Sequence, residues 1–189
     1  MKIIKTSVLM SAILVSTNSH AEEVYLSATL GKSIPENTDH FNDGTGVKLS
    51  AGYRASKHFA VEGSYIHLGE FDMNQEGLDE LQAETGYSVT SASVEISGIG
   101  LSLVGIFPFN QKFSLFTRAG LYSWRLKAAV SAHGLGSGSD TESDTGVGLG
   151  IGLSYAATEK VDFSLEFNRY DTEGSDTDFL GAGVNFKFN

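Results

Sequence analysis

The residues of this sequence best suited to catalysis are a few histidines, serines and carboxylates. They lie in or next to long stretches that separate predicted β-strands. These residues are His40, His67, His133, Ser131, Ser137, Glu70 and Asp140. A hydrolase or acyltransferase would need a histidine held as a base against a serine hydroxyl and oriented by a third group. No spacing among these residues forms a nucleophile motif of that kind. We therefore predict no catalytic residue and interpret the set as solvated side chains.

Two acidic segments, residues 140–144 and 171–178, supply oxygen ligands of the kind that Ca²⁺ prefers. Neither segment has the fixed pattern of an EF-hand loop. The glycine-rich stretch 134–138 lacks the lysine of a phosphate-binding loop and does not join a strand to a helix. We predict no metal site and no cofactor. Diffuse, weak binding of divalent cations is the open alternative.

Residues 146–155 show the kind of element that must position any functional side chain. Every second residue is a large apolar one, and the residues between them are glycine or serine. A period of two belongs to a β-strand, whose side chains point alternately to opposite faces. In a soluble barrel the apolar set would fill the interior and charged residues would meet water, but here the alternate set is too small to form a charged surface. The pattern therefore predicts that the apolar face contacts lipid.

Eight segments share this alternation, and together they predict an all-β fold. They are residues 24–31, 46–53, 59–67, 94–107, 113–124, 146–155, 161–168 and 179–188. Apolar residues outside and small or polar residues inside are the signature of a transmembrane β-barrel. Side chains fill the interior of an eight-stranded barrel. We therefore expect Phe116, Tyr122 and Trp124 to point inward, and we expect no open diffusion pore.

The N-terminus predicts export. Two lysines, a short apolar run and small residues before Ala21 make residues 1–21 a predicted signal peptide, cleaved after Ala21. The apolar run is too short to span a bilayer as a helix. Because backbone polar groups in lipid must be paired internally, an exported membrane chain without a membrane helix must form a closed barrel. We assign that barrel to residues 22–189 as one domain.

The composition excludes several function classes. The chain has no cysteine, so thiolate catalysis, cysteine metal ligation and disulfides are excluded. Its formal net charge of -10 argues against nucleic acid as a partner.

The connections between the predicted strands alternate in length and in charge. Short ones at residues 54–58, 108–112 and 157–160 hold the basic residues Arg54, Lys57, Lys112 and Lys160, and the long ones at 32–45, 68–93, 127–145 and 171–178 are acidic. In outer membrane barrels short turns face the periplasm and long loops face the exterior. The sequence therefore predicts four acidic extracellular loops.

The fifth predicted strand resembles a known family. The run from Leu115 to Gly120, followed by Trp124 and Arg125 and preceded by Phe107-Pro108-Phe109, is similar to the transmembrane domain of the OmpA family of outer membrane proteins. The resemblance implies an eight-stranded antiparallel up-and-down transmembrane β-barrel in the outer membrane of a Gram-negative-type bacterium.

The resemblance also implies a buried network of charges inside the barrel. The matching inward positions here are Glu62, Arg118 and Glu166, whereas Thr29 and Val104 stand where the family pattern has lysine. Buried carboxylates without a partner are costly. Lys48 and Lys187 also point inward in the predicted register, so we expect them to be replacement partners in a lumen charge network of Glu62, Arg118, Glu166, Lys48 and Lys187.

From these observations we predict a non-enzymatic outer membrane barrel that displays its loops for surface interaction, adhesion or envelope stability. The alternatives are a narrow ion-conducting pore and, less favoured, a lipid-modifying enzyme. The expected partners are outer membrane lipid and lipopolysaccharide, the outer membrane assembly machinery and an extracellular surface ligand.

Overall fold

The computed structural model describes residues 23–36, 41–85, 89–132, 136–172 and 175–188. The predicted signal peptide lies outside the described residues. So do His40 and His133, two of the histidines considered above for catalysis.

The described residues form eight strands and one helix. In chain order these are β1 (Glu23–Pro35), β2 (Gly44–Arg54), β3 (Phe59–Asp72), α1 (Gln75–Thr85), β4 (Val89–Pro108), β5 (Phe113–Ala132), β6 (Gly136–Ala156), β7 (Val161–Thr172) and β8 (Ser175–Phe188). Each strand pairs antiparallel with the next, and β8 pairs with β1, which closes the barrel. The predicted all-β, eight-stranded, antiparallel up-and-down barrel is confirmed.

Among the described residues, no helix is both long and apolar enough to cross a membrane.

The apolar side chains of the predicted strands point away from the barrel axis. Leu103, Leu165 and Leu149 have exposed fractions of 67%, 63% and 59%, whereas the residues that alternate with them are mostly buried. An apolar outer band is stable only against acyl chains, because in water it would leave a large hydrophobic surface exposed. The predicted inward and outward faces of the strands are confirmed.

The strands are longer than the apolar alternation predicts, so the long-loop assignments were partly wrong. In the predicted loop 127–145, β5 and β6 stay paired up to Ala132 and Gly136. In the predicted loop 171–178, β7 reaches Thr172 and β8 starts at Ser175. The reason is physical: a hydrogen-bonded ladder can continue into water without apolar residues, so the sequence pattern marks only the part of each strand that faces lipid.

The connection between β3 and β4 also differs from a simple loop. It contains α1, and β3 carries an irregularity where the register shifts between His67 and Gly69. Gly69 has φ of 107°, a left-handed conformation that favours glycine, and a Cβ there would press on the backbone of Thr45.

The interior is filled in layers. The half toward the long hairpins is packed by one apolar cluster: Ile66, Leu68, Phe71, Ile96, Tyr122, Trp124, Tyr170 and Phe179. Charged residues lie next, and a smaller cluster containing Tyr25 and Phe116 lies toward the short turns. Phe116, Tyr122 and Trp124 are all buried, as predicted from their inward positions.

Candidate functional site

A buried ionic layer crosses the middle of the lumen around Arg118. This residue points inward from β5 and meets carboxylates from two strands that are not its neighbours, Glu62 on β3 and Glu166 on β7. Arg118 Nε lies 3.0 Å from Glu62 Oε1, and Nη1 lies 3.2 Å from Glu166 Oε2. Nη2 also donates to Glu62 Oε2 at 3.3 Å. One guanidinium therefore joins three strands across the interior.

Lys48 on β2 completes the charge balance of this layer. Its Nζ forms an ion pair with Glu166 Oε1, and its side chain is 1% exposed. The layer thus holds two carboxylates and two cations, with no net charge. Such balance is required because a buried charge without a partner costs several kcal/mol.

Neutral side chains add further hydrogen bonds to the layer. Tyr25 donates its hydroxyl to Glu62 Oε2 at 3.0 Å, and Ser64 donates to Glu62 Oε1 at 3.2 Å. Arg118 Nη1 also donates to the amide oxygen of Asn168 at 3.1 Å. Sequence reasoning assigned no role to these three residues. The strand alternation predicts that these side chains point inward. It does not predict which inward side chains lie at the same height in the lumen.

Lys187 does not join this layer. Its Nζ lies 2.8 Å from Asp162 Oδ1, nearer the short turns, and the pair is almost buried. The five residues expected to form one network therefore divide into a group of four and a separate ion pair with Asp162. Thr29 and Val104, at the positions where the family pattern has lysine, are buried and uncharged.

Three aromatic rings close the lumen on the side of the long hairpins. Tyr122 and Trp124 stack with ring centroids 5.5 Å apart, and Tyr170 meets them edge-on at 5.1 and 5.3 Å. All three are about 1% exposed. Edge-on and offset contacts of this kind are the favoured arrangements of aromatic pairs. The lumen is therefore filled at two successive heights, by the aromatic rings and by the ionic layer.

Below the ionic layer a cavity of about 360 Å³ extends toward the short turns. Glu62, Arg118 and Glu166 lie at its inner end, and the turn residues Lys57 and Lys112 lie at its mouth. The cavity is therefore a polar vestibule that ends at the ionic layer.

Of the side chains considered for catalysis, those that the structure describes do not meet in a catalytic geometry. His67 Nδ1 lies 3.9 Å from Glu95 Oε1, which is too long for a hydrogen bond. Residues 140–144 lie within β6 instead of in a loop. Among the described residues, no group of three or more histidine, aspartate or glutamate side chains could hold a metal ion.

Comparisons with known proteins match this architecture. The family model described as the outer membrane protein beta-barrel domain matches residues 6–188. A comparison with curated proteins gives no match.

Solved structures share the fold at low sequence identity. Neisserial surface protein A is 21% identical, with a TM-score of 0.61, covering 88% of this chain and 96% of that one. The N-terminal β-barrel domain of Pseudomonas aeruginosa OprF is 16% identical, with a TM-score of 0.58 and coverage of 89% and 98%. Ail, the attachment invasion locus protein of Yersinia pestis, is 15% identical, with a TM-score of 0.55 and coverage of 89% and 99%.

Proposed function

Because this chain belongs to the family of outer membrane protein β-barrel domains, we propose that it is a non-enzymatic, non-conducting barrel that displays extended hairpins on the cell surface for contact with a surface partner. The fold suits such a role, since the similarly folded Ail is described as an attachment invasion locus protein.

The length of β4, β5 and β6 carries this proposal. These strands have 20, 20 and 21 residues, whereas the others have 11 to 14. On β5 the outward apolar residues end at Leu121, and the strand continues to Ala132, about 37 Å further at roughly 3.4 Å per residue. A three-stranded sheet with strands of that length reaches well beyond the lipid. A barrel that only stabilised the envelope would have no need of it.

The packing of the lumen supports a non-conducting role over the narrow pore. An ion would have to displace both the aromatic layer around Trp124 and the paired charges around Arg118. The pairing of Glu62 and Glu166 with two cations also leaves no excess charge in that layer to select ions.

The proposal gives no catalytic role to His67, which the structure describes on the side of the long connections. The separation of His67 from Glu95 leaves its ring without the orienting hydrogen bond that a general base needs. The lipid-modifying enzyme therefore remains the less favoured alternative.

The proposal includes export through a signal peptide at residues 1–21 and insertion by the outer membrane assembly machinery. Supporting features are the composition of the N-terminus and the closed barrel that follows it.

The display role is tested by shortening the tallest hairpin. Arg125 and Ser143 are direct partners in the β5–β6 ladder, so a two-residue turn can join them in place of residues 126–142. We expect this variant to fold, as judged by the gel shift of heat-modifiable barrels, and to lose adhesion or ligand binding in a screen on intact cells. Unchanged binding in every assay would remove the support for display by this hairpin.

A matched control changes a short turn at the opposite end of the barrel and leaves the outer hairpins at full length. Replacing residues 157–160, the short turn between β6 and β7, by another short turn should leave surface binding intact. Loss of binding in both variants would indicate damage to the barrel instead of loss of a contact surface.

A further inference from the structure

Two cations on the outward face of β5 have no carboxylate partner among the described residues. Arg125 and Lys127 are both exposed, and they lie two residues apart on one face of the strand, about 7 Å from each other along it. No carboxylate of the described residues lies within ion-pair distance of either side chain.

The other cations of the outer rim are occupied. Lys32 lies 3.2 Å from Asp43, and Arg169 lies 2.7 Å from Asp178. Glu95 is the ladder partner of Lys127, but its carboxylate lies near His67 on the other side. Arg125 and Lys127 are therefore the free cations of the described outer rim.

The two side chains lie just above the apolar band. On β5 that band ends at Leu121, whose ladder partners are Leu101 and Val147. On β4 the band continues to Ile99, the ladder partner of Ser123. Arg125 lies two residues beyond Ser123, about 7 Å along the strand, or roughly 5 Å above the band for a strand tilted by about 40°. The polar layer of a bilayer is about 5 to 8 Å thick on each side. Arg125 and Lys127 thus face the lipid headgroups.

Three of the four ladder neighbours of the two cations carry a hydroxyl group, and the fourth is Glu95. Ser97 and Ser143 are the ladder partners of Arg125 on either side, and Thr141 is a ladder partner of Lys127. Guanidinium and ammonium groups bind phosphate through charge-assisted hydrogen bonds, and hydroxyls can donate to the remaining oxygens. The chemistry of this patch is that of a phosphate site.

We propose that Arg125 and Lys127, with Ser97, Ser143 and Thr141, bind the phosphate group of a phosphorylated glycolipid in the outer leaflet. The patch is continuous with the apolar surface at Leu121, so a lipid with its phosphate here would lay its acyl chains on the band below. Free phosphate would gain nothing from that surface. The inference rests on the outer membrane placement in the proposed function and not on the display role.

The test is a titration of the folded barrel in detergent with lipid A that carries its phosphates, with bound lipid counted by native mass spectrometry. The double variant Arg125→Gln/Lys127→Gln should bind about 30-fold more weakly than the wild type, from roughly five-fold per cation at an anionic membrane surface. The single variant Lys127→Arg should keep the wild-type affinity, because it keeps the charge.

The control Lys57→Gln/Lys112→Gln removes the same charge from exposed turns at the opposite end and should bind as the wild type does. Dephosphorylated lipid A should bind the wild type and the double variant equally. Inorganic phosphate at millimolar concentration should not displace lipid A.

Equal binding of lipid A by the double variant and the wild type would overturn the site. So would equal loss in the control, or full displacement by inorganic phosphate, which would indicate a site for free anions. A gel-shift check establishes that each variant is folded. A barrel that passes this test and yet has no surface partner would refute the display role alone.

Discussion

Arg118 Nε lies 3.0 Å from Glu62 Oε1 across the barrel interior, between two strands that are not neighbours in the sheet. This contact and the ion pairs that Glu166 forms with Arg118 and Lys48 tie opposite walls together at a height where lipid surrounds the barrel.

Arg118→Leu should destabilise the folded barrel by about 3 to 5 kcal/mol, since it leaves two buried carboxylates with Lys48 as their remaining cation. The free energy of unfolding is measured by urea titration in detergent, with the fluorescence of Trp124 as the probe. Trp124 is the only tryptophan in the sequence. Arg125→Leu, which removes the same charge from an exposed position, should change stability by less than about 0.5 kcal/mol. Equal effects would mean that the ionic layer does not stabilise the fold.

The purified barrel should give no single-channel steps in planar bilayers. Glu62→Gln should stay silent as well, because the rings of Tyr122, Trp124 and Tyr170 still fill the lumen. Steps from the wild-type barrel that shift on neutralisation of Glu62 would favour the narrow pore.

Leu103→Arg should destabilise the barrel by about 2 to 4 kcal/mol, because this side chain is central in the outward apolar set of β4 and an arginine near the bilayer midplane is that costly. Ser91→Arg adds the same side chain to the exposed end of β4 beyond the lipid and should cost little. Refolding into lipid vesicles compares the two. A similar cost at both positions would contradict the placement of the lipid band.

Gly148→Ala should destabilise the barrel by about 1 to 3 kcal/mol through overpacking. A Cβ there would approach the rings of Tyr122 and Tyr170 to under 3.0 Å. Gly63 lies on the outer face with nothing within 4 Å of its Cβ position, so Gly63→Ala is the matched control and should be tolerated. The same urea titration measures the free energy of unfolding of both variants. If both variants were equally stable, the aromatic layer would be looser than the structure indicates.

Sequence reasoning succeeded where lipid imposes a rule. The alternation in residues 146–155, and in the segments like it, predicted the number of strands and which side chains face outward, and the family resemblance implied their antiparallel order. It succeeded because polar side chains are costly against acyl chains, so the outward residues in the band are predominantly apolar. Glu62, Arg118 and Glu166 could be placed inward for the same reason.

Beyond the lipid, the sequence pattern could not show whether a segment is a strand or a loop. The upper parts of β5 and β6 carry serine, threonine and charged residues that read as loop, yet their backbones remain paired up to Ala132 and Gly136. A ladder in water is stabilised by its hydrogen bonds and its neighbours, and these are tertiary contacts.

The pattern of apolar residues was enough to predict the membrane barrel and its inward and outward faces, because a period of two in apolar residues has one solution in lipid. Which inward charges meet depends on how the strands are arranged around the closed barrel. Lys48 and Lys187 both point inward, but barrel closure places Lys48 at the height of Glu166 and Lys187 at that of Asp162. Height in the lumen depends on the stagger between strands around the whole barrel, which no single strand encodes.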